Sequence, residues 1–254
     1  MSGRTRRAAV SAVALFATAL SGCSLGGAAE SRQVTVLAAT SLTDAFAVIA
    51  KRFEAAHPGV HVRLSLAASS TLAQQVIDGA PADVLATADL LTMRQVRAAG
   101  LAAGQPAVFA TNTPVVITPP NDPAGVASVD DLAEPDVAVA LCAREVPCGR
   151  AATKLLRADR VSVTPVTLEP DVRSVLTKVR LGEVDAGIVY LSDARSAGPD
   201  VRTVATRHAG DVVSRYPIAG MEEAGEPWLA RQFVKLVLAP AGQRVLGRAG
   251  FGQP

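Results

Sequence analysis

Lysine, histidine, cysteine and aromatic residues are all scarce in this chain, and each scarcity excludes something. Only four of the 25 basic residues are Lys (Lys51, Lys154, Lys178 and Lys235), and the arginines are spread along the sequence. With a formal net charge of +2 and 4% aromatics, there is no basic stripe interleaved with stacking rings. Nucleic acid is therefore not an expected partner. The three histidines, His57, His61 and His208, have no ligand spacing, and no CxxC pair exists, so zinc is not expected. A GxGxxG turn and a Walker-type loop are both missing, which disfavours nucleotides. A GxSxG elbow is missing too, which disfavours one common hydrolase design. There is no tandem repeat of fixed period. Beyond the N-terminal segment no apolar run reaches the roughly 20 residues that a spanning helix needs.

What is present is an apolar fraction of 49% in 254 residues. That is enough to bury a substantial core in one large domain or two smaller lobes. The N-terminus reads separately. Arg4, Arg6 and Arg7 make it basic, Ala8 to Leu20 is apolar but short, and Leu20-Ser21-Gly22-Cys23 follows. This order is that of a secretory signal, and its end resembles the lipobox of bacterial lipoproteins. The resemblance implies cleavage before Cys23, a lipid such as palmitate on its sulfur, and a mature protein held at the outer face of the cell membrane. Residues 1–22 are then a signal peptide, and 23–32 a flexible tether containing Gly26-Gly27. In that oxidising compartment Cys142 and Cys148 either bridge over the five residues between them or remain two thiols.

From residue 33 onward strand-like and helix-like patterns alternate. Gln33–Ala39 is a buried strand, and apolar spacing at Ala45, Phe46, Ile49, Ala50 and Phe53 predicts a helix over Thr43–Ala56. A second strand (60–66) ends in Ala67-Ala68-Ser69-Ser70-Thr71 and leads into a second helix, with Ser70 and Thr71 expected as its caps. A short strand and turn are expected over Pro81–Asp89, and further strands at 114–118, 137–141, 163–168, 186–190, 201–205 and 213–219. Helices are expected at 91–99, 129–132, from about 149 to 157, at 172–181 and 193–196, and over two C-terminal segments. Alternation of this kind predicts an α/β fold of parallel sheets with helices on both faces. Ligands of such sheets sit outside the carboxyl ends of the strands.

Four strand-to-helix turns stand out: Thr40-Ser41, Ser69-Ser70-Thr71, Pro147-Cys148-Gly149 and Asp171-Val172. Tyr190 closes a fifth strand. If these ends meet, they offer hydroxyls from Ser41, Ser69 and Tyr190 and backbone N–H groups at helix starts. Each helix start carries the equivalent of about half a positive charge. None of the turns holds a Lys, and Asp44 and Asp171 read as capping or first-turn residues. Such a site suits a small, fully deprotonated oxyanion. A ligand that keeps a proton wants an acceptor, and an unmatched donor is costly. Read alone, Ser41 and Ser69 fit helix caps as well as ligand contacts, and Tyr190 and Val172 fit a plain core.

The stretches Ala38-Ala39-Thr40-Ser41-Leu42-Thr43, Ala67-Ala68-Ser69-Ser70-Thr71-Leu72, Gly79-Ala80-Pro81-Ala82-Asp83-Val84, Asp171-Val172-Arg173 and Gly187-Ile188-Val189-Tyr190 occur in this order over nearly the whole mature chain. Together they resemble the extracytoplasmic molybdate-binding proteins of ABC transporters. The resemblance implies a type II periplasmic binding protein: two lobes, with a ligand cleft between two doubly wound sheets. It places 33–112 and 207–254 in one lobe and 113–206 in the other. It implies capture of molybdate, with tungstate as a further ligand, and delivery to an ABC permease by a monomer without catalysis or cofactor. It assigns ligand contacts to Ser41 and Ser69 (hydroxyl and backbone N–H), to the backbone N–H of Val172, and to the Tyr190 phenol. Cys148 matches a further backbone donor, although the family's small residue is replaced here by a Cys. Asp83 and Asp89 are expected to fix turns, and Arg173 stands between a structural ion pair and long-range attraction. Three rivals remain open at this point: a sulfate or other tetrahedral oxyanion-binding protein, a serine or cysteine hydrolase using His208, and a lipoprotein without a small ligand.

Overall fold

A computed structural model of the chain describes residues 32–254. The predicted signal peptide, Cys23 and all of the tether but Arg32 lie outside the described residues. Two five-stranded sheets form the framework. The first is built from β1 (Arg32–Ala39), β2 (Val60–Ala67), β3 (Val84–Ala86), β4 (Ala102–Asn112) and, from near the C-terminus, β10 (Ser214–Met221). Its order is β2-β1-β3-β10-β4. The second contains β5 (Pro114–Thr118), β6 (Val139–Cys142), β7 (Thr167–Glu169), β8 (Ala186–Tyr190) and β9 (Arg202–Val204), in the order β7-β6-β8-β5-β9.

The two sheets follow one plan. In each, three strands run parallel, with β1 between β2 and β3, and β6 between β7 and β8. In each, the fourth strand runs antiparallel to both neighbours: β10 in the first sheet and β5 in the second. The purely parallel sheets expected from the alternation are therefore corrected to mixed ones. The reason lies in the connections. The β4 strand hands over to β5 through the single residue Thr113, and β9 hands over to β10 through residues 205–213. A strand reached from the other sheet need not arrive through a helical crossover, so it is free to run antiparallel.

Helices cover both faces of each sheet. On the first, α1 (Thr43–Ala56), α7 (Pro227–Leu238) and α8 (Pro240–Arg248) pack on one face, burying Phe46, Phe53, Phe109 and Phe233 against Val34 and Val36. The other face carries α2 (Ser69–Ile77) and α3 (Leu90–Ala98), packed on Leu37 and Leu85. The opposite placing of Val36 and Leu37 is the period of two of a strand. On the second sheet, α5 (Val172–Arg180) and α6 (Leu191–Ala197) cover one face and α4 (Pro147–Asp159) contributes to the other.

Some expected elements shift. The β4 strand was not foreseen, because Gly104 and Pro106 interrupt it. It lies at the edge of its sheet, where a missing N–H is tolerated. The strand expected over 163–168 shrinks to the three edge residues of β7, with Val166 and Leu168 exposed.

Cys142 and Cys148 form a disulfide, with Cα atoms 5.7 Å apart. It ties the end of β6 to the second residue of α4. Next to it, a Cβ on Gly149 would stand 1.9 Å from the Ala143 carbonyl oxygen, so only glycine lets the helix start press on the strand end. A loop this short closes with an unfolded-state entropy worth about 2 kcal/mol. Replacing both cysteines with Ser should lower the unfolding free energy by about that amount, measured by denaturant titration. An unchanged midpoint would show the bridge to be idle.

Candidate functional site

The carboxyl ends of β1, β2, β6, β7 and β8 open on one small pocket. It is lined by Ala39, Thr40, Ser41, Ala67, Ala68, Ser69, Ala88, Val146, Pro147, Cys148, Asp171, Val172 and Tyr190. Ser41, Ser69, Cys148, Val172 and Tyr190, which sequence reasoning singled out, thus stand around a single space. The space is small, with room as it stands for about one water.

Helix starts provide the polarity. A 3-10 turn over Thr40–Leu42 leads into α1, and neither it nor α2 nor α4 has a side-chain cap at its start. The N-cap positions are Ala39, Ala68 and Val146, none of which carries a side-chain acceptor. Free first-turn N–H groups at three helix starts are therefore available to a ligand. The caps expected from Ser70 and Thr71 are corrected: both residues lie inside α2. At the fourth start, Asp171 does cap, but it accepts from Arg173 N and Ser174 N, leaving the first amide, that of Val172, outside the cap. By contrast, Asp89 caps α3 through Thr92 N.

The hydroxyls are oriented by what their oxygens already accept. Ser69 Oγ accepts the Ala88 N–H at 2.9 Å, so its own proton points elsewhere. Ser41 Oγ lies 3.0 Å from Tyr216 Oη. Tyr216 Oη in turn accepts from Asn112 Nδ2 at 3.4 Å. Burial pushes the Tyr216 phenol up, so it stays protonated. Tyr190 Oη is buried near Ser214 but makes no hydrogen bond of normal geometry, and burial raises its pKa against that neighbour's effect. Its ring meets Tyr216 edge-on, with centroids 5.9 Å apart. Ser69 and Tyr190 thus each hold a proton available to the pocket, and Ser41 does so when the Tyr216 phenol donates to it.

The only acidic side chain in the lining is Asp171, and its oxygens are engaged by Arg173 N, Ser174 N and Ser174 Oγ. Behind Tyr190 lies Asp193, fully buried. One oxygen accepts from Tyr190 N at 3.3 Å, and the other lies 3.5 Å from Arg173 Nε. Burial pushes Asp193 up to about 7 despite the Arg173 charge. Asp44 lies in the first turn of α1, as expected, without capping it, and its carboxylate reaches Arg173 and Ser196. Burial acts to raise its pKa, but those hydrogen bonds and the Arg173 charge hold it below the ordinary value. Asp83 accepts from Thr35 N and Glu226 N and so ties β1 to the segment before α7.

Sequence reasoning missed Tyr216 and Asn112, and gave Ala88 no role toward Ser69. The one available signal was scarcity, since Tyr190 and Tyr216 are the chain's two tyrosines. His208 does not line the pocket and instead bonds buried Asp159 at 2.7 Å. Among the described residues no group of His, Cys, Asp and Glu could hold a metal ion, and no helix is long and apolar enough to cross a membrane.

Comparison with known proteins agrees with this architecture. Residues 34–252 match the bacterial extracellular solute-binding protein family. The molybdate-binding protein ModA of Mycobacterium tuberculosis is 44% identical over 223 residues, covering 88% of this chain and 85% of that protein. The periplasmic molybdate-binding protein of Azotobacter vinelandii superposes with a TM-score of 0.73 at 20% identity, covering 87% of this chain and 99% of that one. The sulfate-binding protein SubI of M. tuberculosis superposes with a TM-score of 0.75 at 18% identity, covering 87% and 86%. The two structural likenesses speak to the fold.

Asp193 sets a pH dependence. Its folded pKa of about 7 stands above the ordinary 3.8. Its contribution is therefore fully favourable below the ordinary value and is lost as pH rises through about 7. Asp193→Asn keeps an acceptor for Tyr190 N without that loss. The melting temperature of the variant should gain on wild type by a few degrees between pH 5 and pH 8. A gap that stays constant with pH would contradict the burial argument.

Proposed function

Because the chain belongs to the bacterial extracellular solute-binding proteins, we propose that it captures molybdate outside the cytoplasm and delivers it to an ABC-type permease. One observation carries the chemistry: the pocket presents donors on all sides, and its one carboxylate is already engaged. A tetrahedral oxyanion with no proton matches this set, whereas hydrogen phosphate would set a donor against donors. The hydroxyls of Ser41, Ser69 and Tyr190 and the amides of Ser41, Ser69, Cys148 and Val172 are the proposed contacts. Cys148 serves through its backbone, so its engagement in the disulfide does not interfere.

The two lobes are taken as 33–112 with 207–254, and 113–206. Ser41 and Ser69 then come from one lobe and Cys148, Val172 and Tyr190 from the other. A ligand that bonds both favours the closed arrangement by its contacts to each side. Tungstate shares the charge and shape of molybdate and is proposed as a second ligand. Cys23 is proposed as the site of lipid attachment, which holds the protein, as a monomer, at the outer face of the membrane. The hydrolase reading has no support in the site, since no histidine lines the pocket.

Sulfate is the second reading, because a sulfate-binding protein shares this fold with a TM-score of 0.75. Molybdate is preferred on the 44% identity to a molybdate-binding protein. Isothermal titration with molybdate, tungstate and sulfate decides between them, and sulfate binding as tight as molybdate would overturn the preference. Ser41→Ala combined with Ser69→Ala removes two hydrogen bonds to a charged group, each worth about 1.5–3 kcal/mol. Affinity should fall by about 100-fold or more, with the circular dichroism spectrum unchanged. An unaltered affinity would remove both serines from the site.

A further inference from the structure

We propose that Arg150 and Arg173 are positioning residues that latch the cleft shut, one on each flank of the bound anion. The inference rests on the binding reading above.

Both arginines sit just after a proposed backbone donor. Arg173 follows Val172, and Arg150 comes two residues after Cys148. Each reaches across to an aspartate at a helix start on the first sheet. Arg173 Nη2 lies 2.5 Å from Asp44 Oδ2, in the first turn of α1. Arg150 bonds Asp89, the N-cap of α3, through Nε at 2.8 Å and Nη2 at 2.6 Å. It also bonds Thr92 Oγ1 at 3.0 Å. Among the described residues these are the ion pairs that join helices of the first sheet to helices of the second. Of the others, Arg180–Asp200 and Arg202–Asp122 stay within the second lobe, and Arg207 and His208, which pair with Asp130 and Asp159, belong to the connection from β9 to β10 and to no helix of the first sheet.

The partners connect each latch to the site. Asp44 lies three residues beyond Ser41. Asp89 follows Ala88, whose N–H orients the Ser69 hydroxyl. Arg173 Nε faces Asp193, which holds the backbone N–H of Tyr190. Arg173 Nη1 also bonds Ser196 Oγ at 3.3 Å, and Ser196 bonds Asp44. The Arg173 guanidinium therefore joins the elements that carry Ser41, Val172 and Tyr190, and that of Arg150 joins α4, which carries Cys148, to the start of α3, next to the Ala88 N–H that bonds Ser69.

An isolated surface ion pair contributes little. These two differ in geometry, and the Arg150 pair differs in shelter as well. The Arg150 and Asp89 side chains are 24% and 19% exposed, against 27% and 57% for Arg173 and Asp44, and both guanidinium groups are fixed by several bonds. A planar fork held this way loses less freedom per bond than a single contact would. The latches form only when the lobes meet, so they should act on release of the ligand rather than on its encounter.

Stopped-flow kinetics with the oxyanion that wild type binds tests this directly. Arg150→Gln and Arg173→Gln should each raise the dissociation rate about three- to tenfold, with the association rate changed less than about twofold. Asp44→Asn, a mild change on an exposed carboxylate, should reproduce the Arg173→Gln effect. Combining the two should add little to the dissociation rate, because either alone breaks the bridge between α1 and α5. Dissociation rates equal to wild type would overturn the proposal, as would effects of Asp44→Asn and Arg173→Gln that multiply independently. If wild type binds no oxyanion at all, the proposed function fails on its own. The latch is then judged by small-angle scattering of ligand-free protein. A larger radius of gyration in Asp44→Asn/Asp89→Asn than in wild type supports it, and an equal radius overturns it.

Discussion

The structure depends on where its uncapped helix starts are placed. Three helical segments begin at the pocket on Ala39, Ala68 and Val146, residues that offer no side-chain acceptor. Ordinarily such ends are satisfied by capping side chains or water. Here the orphan N–H groups face a common space, and the partial positive charges of the helix ends add over it. No lysine or arginine side chain lines that space. Backbone dipoles thus supply attraction for an anion without the mobile cation that would accept many ligands alike.

The same logic governs the hydroxyls. A serine is both donor and acceptor, and becomes a dedicated donor only when its oxygen is already accepting. Ala88 N–H performs this for Ser69. Ser41 shares a hydrogen bond with Tyr216 Oη, whose oxygen also accepts from Asn112. The hydroxyls are therefore held in place before any ligand arrives, which keeps the ordering cost of binding low. The disulfide and Gly149 act to the same end by pinning the Cys148 turn to the strand it leaves.

Legibility in the sequence followed the physics of each element. The β1 strand, α1, β8 and the Asp171 cap were readable because period and capping are local properties. The mixed direction of the sheets was not, since strand direction depends on which sheet a connection enters. The β4 strand was hidden by Gly104 and Pro106, which only an edge position tolerates. The hydroxyl-rich second turn suggested caps at Ser70 and Thr71, whereas α2 starts at Ser69 without one. Ser41, Ser69, Cys148, Val172 and Tyr190 were named through family resemblance, because no local pattern distinguishes a ligand serine from a capping one. Tyr216 stayed invisible: its contact with Ser41 spans 175 residues. Arg150 was missed for the same reason, with 61 residues between it and Asp89.

The central claim is that one oxyanion is held by donors alone, drawn from both lobes. A crystal structure of the protein grown with molybdate tests it most directly. The account predicts the anion in the pocket, within hydrogen-bond distance of the Ser41 and Ser69 hydroxyls, the Cys148 and Val172 amides and the Tyr190 phenol. An anion bound elsewhere, or one held in this pocket by a carboxylic acid or by a single lobe, would contradict it.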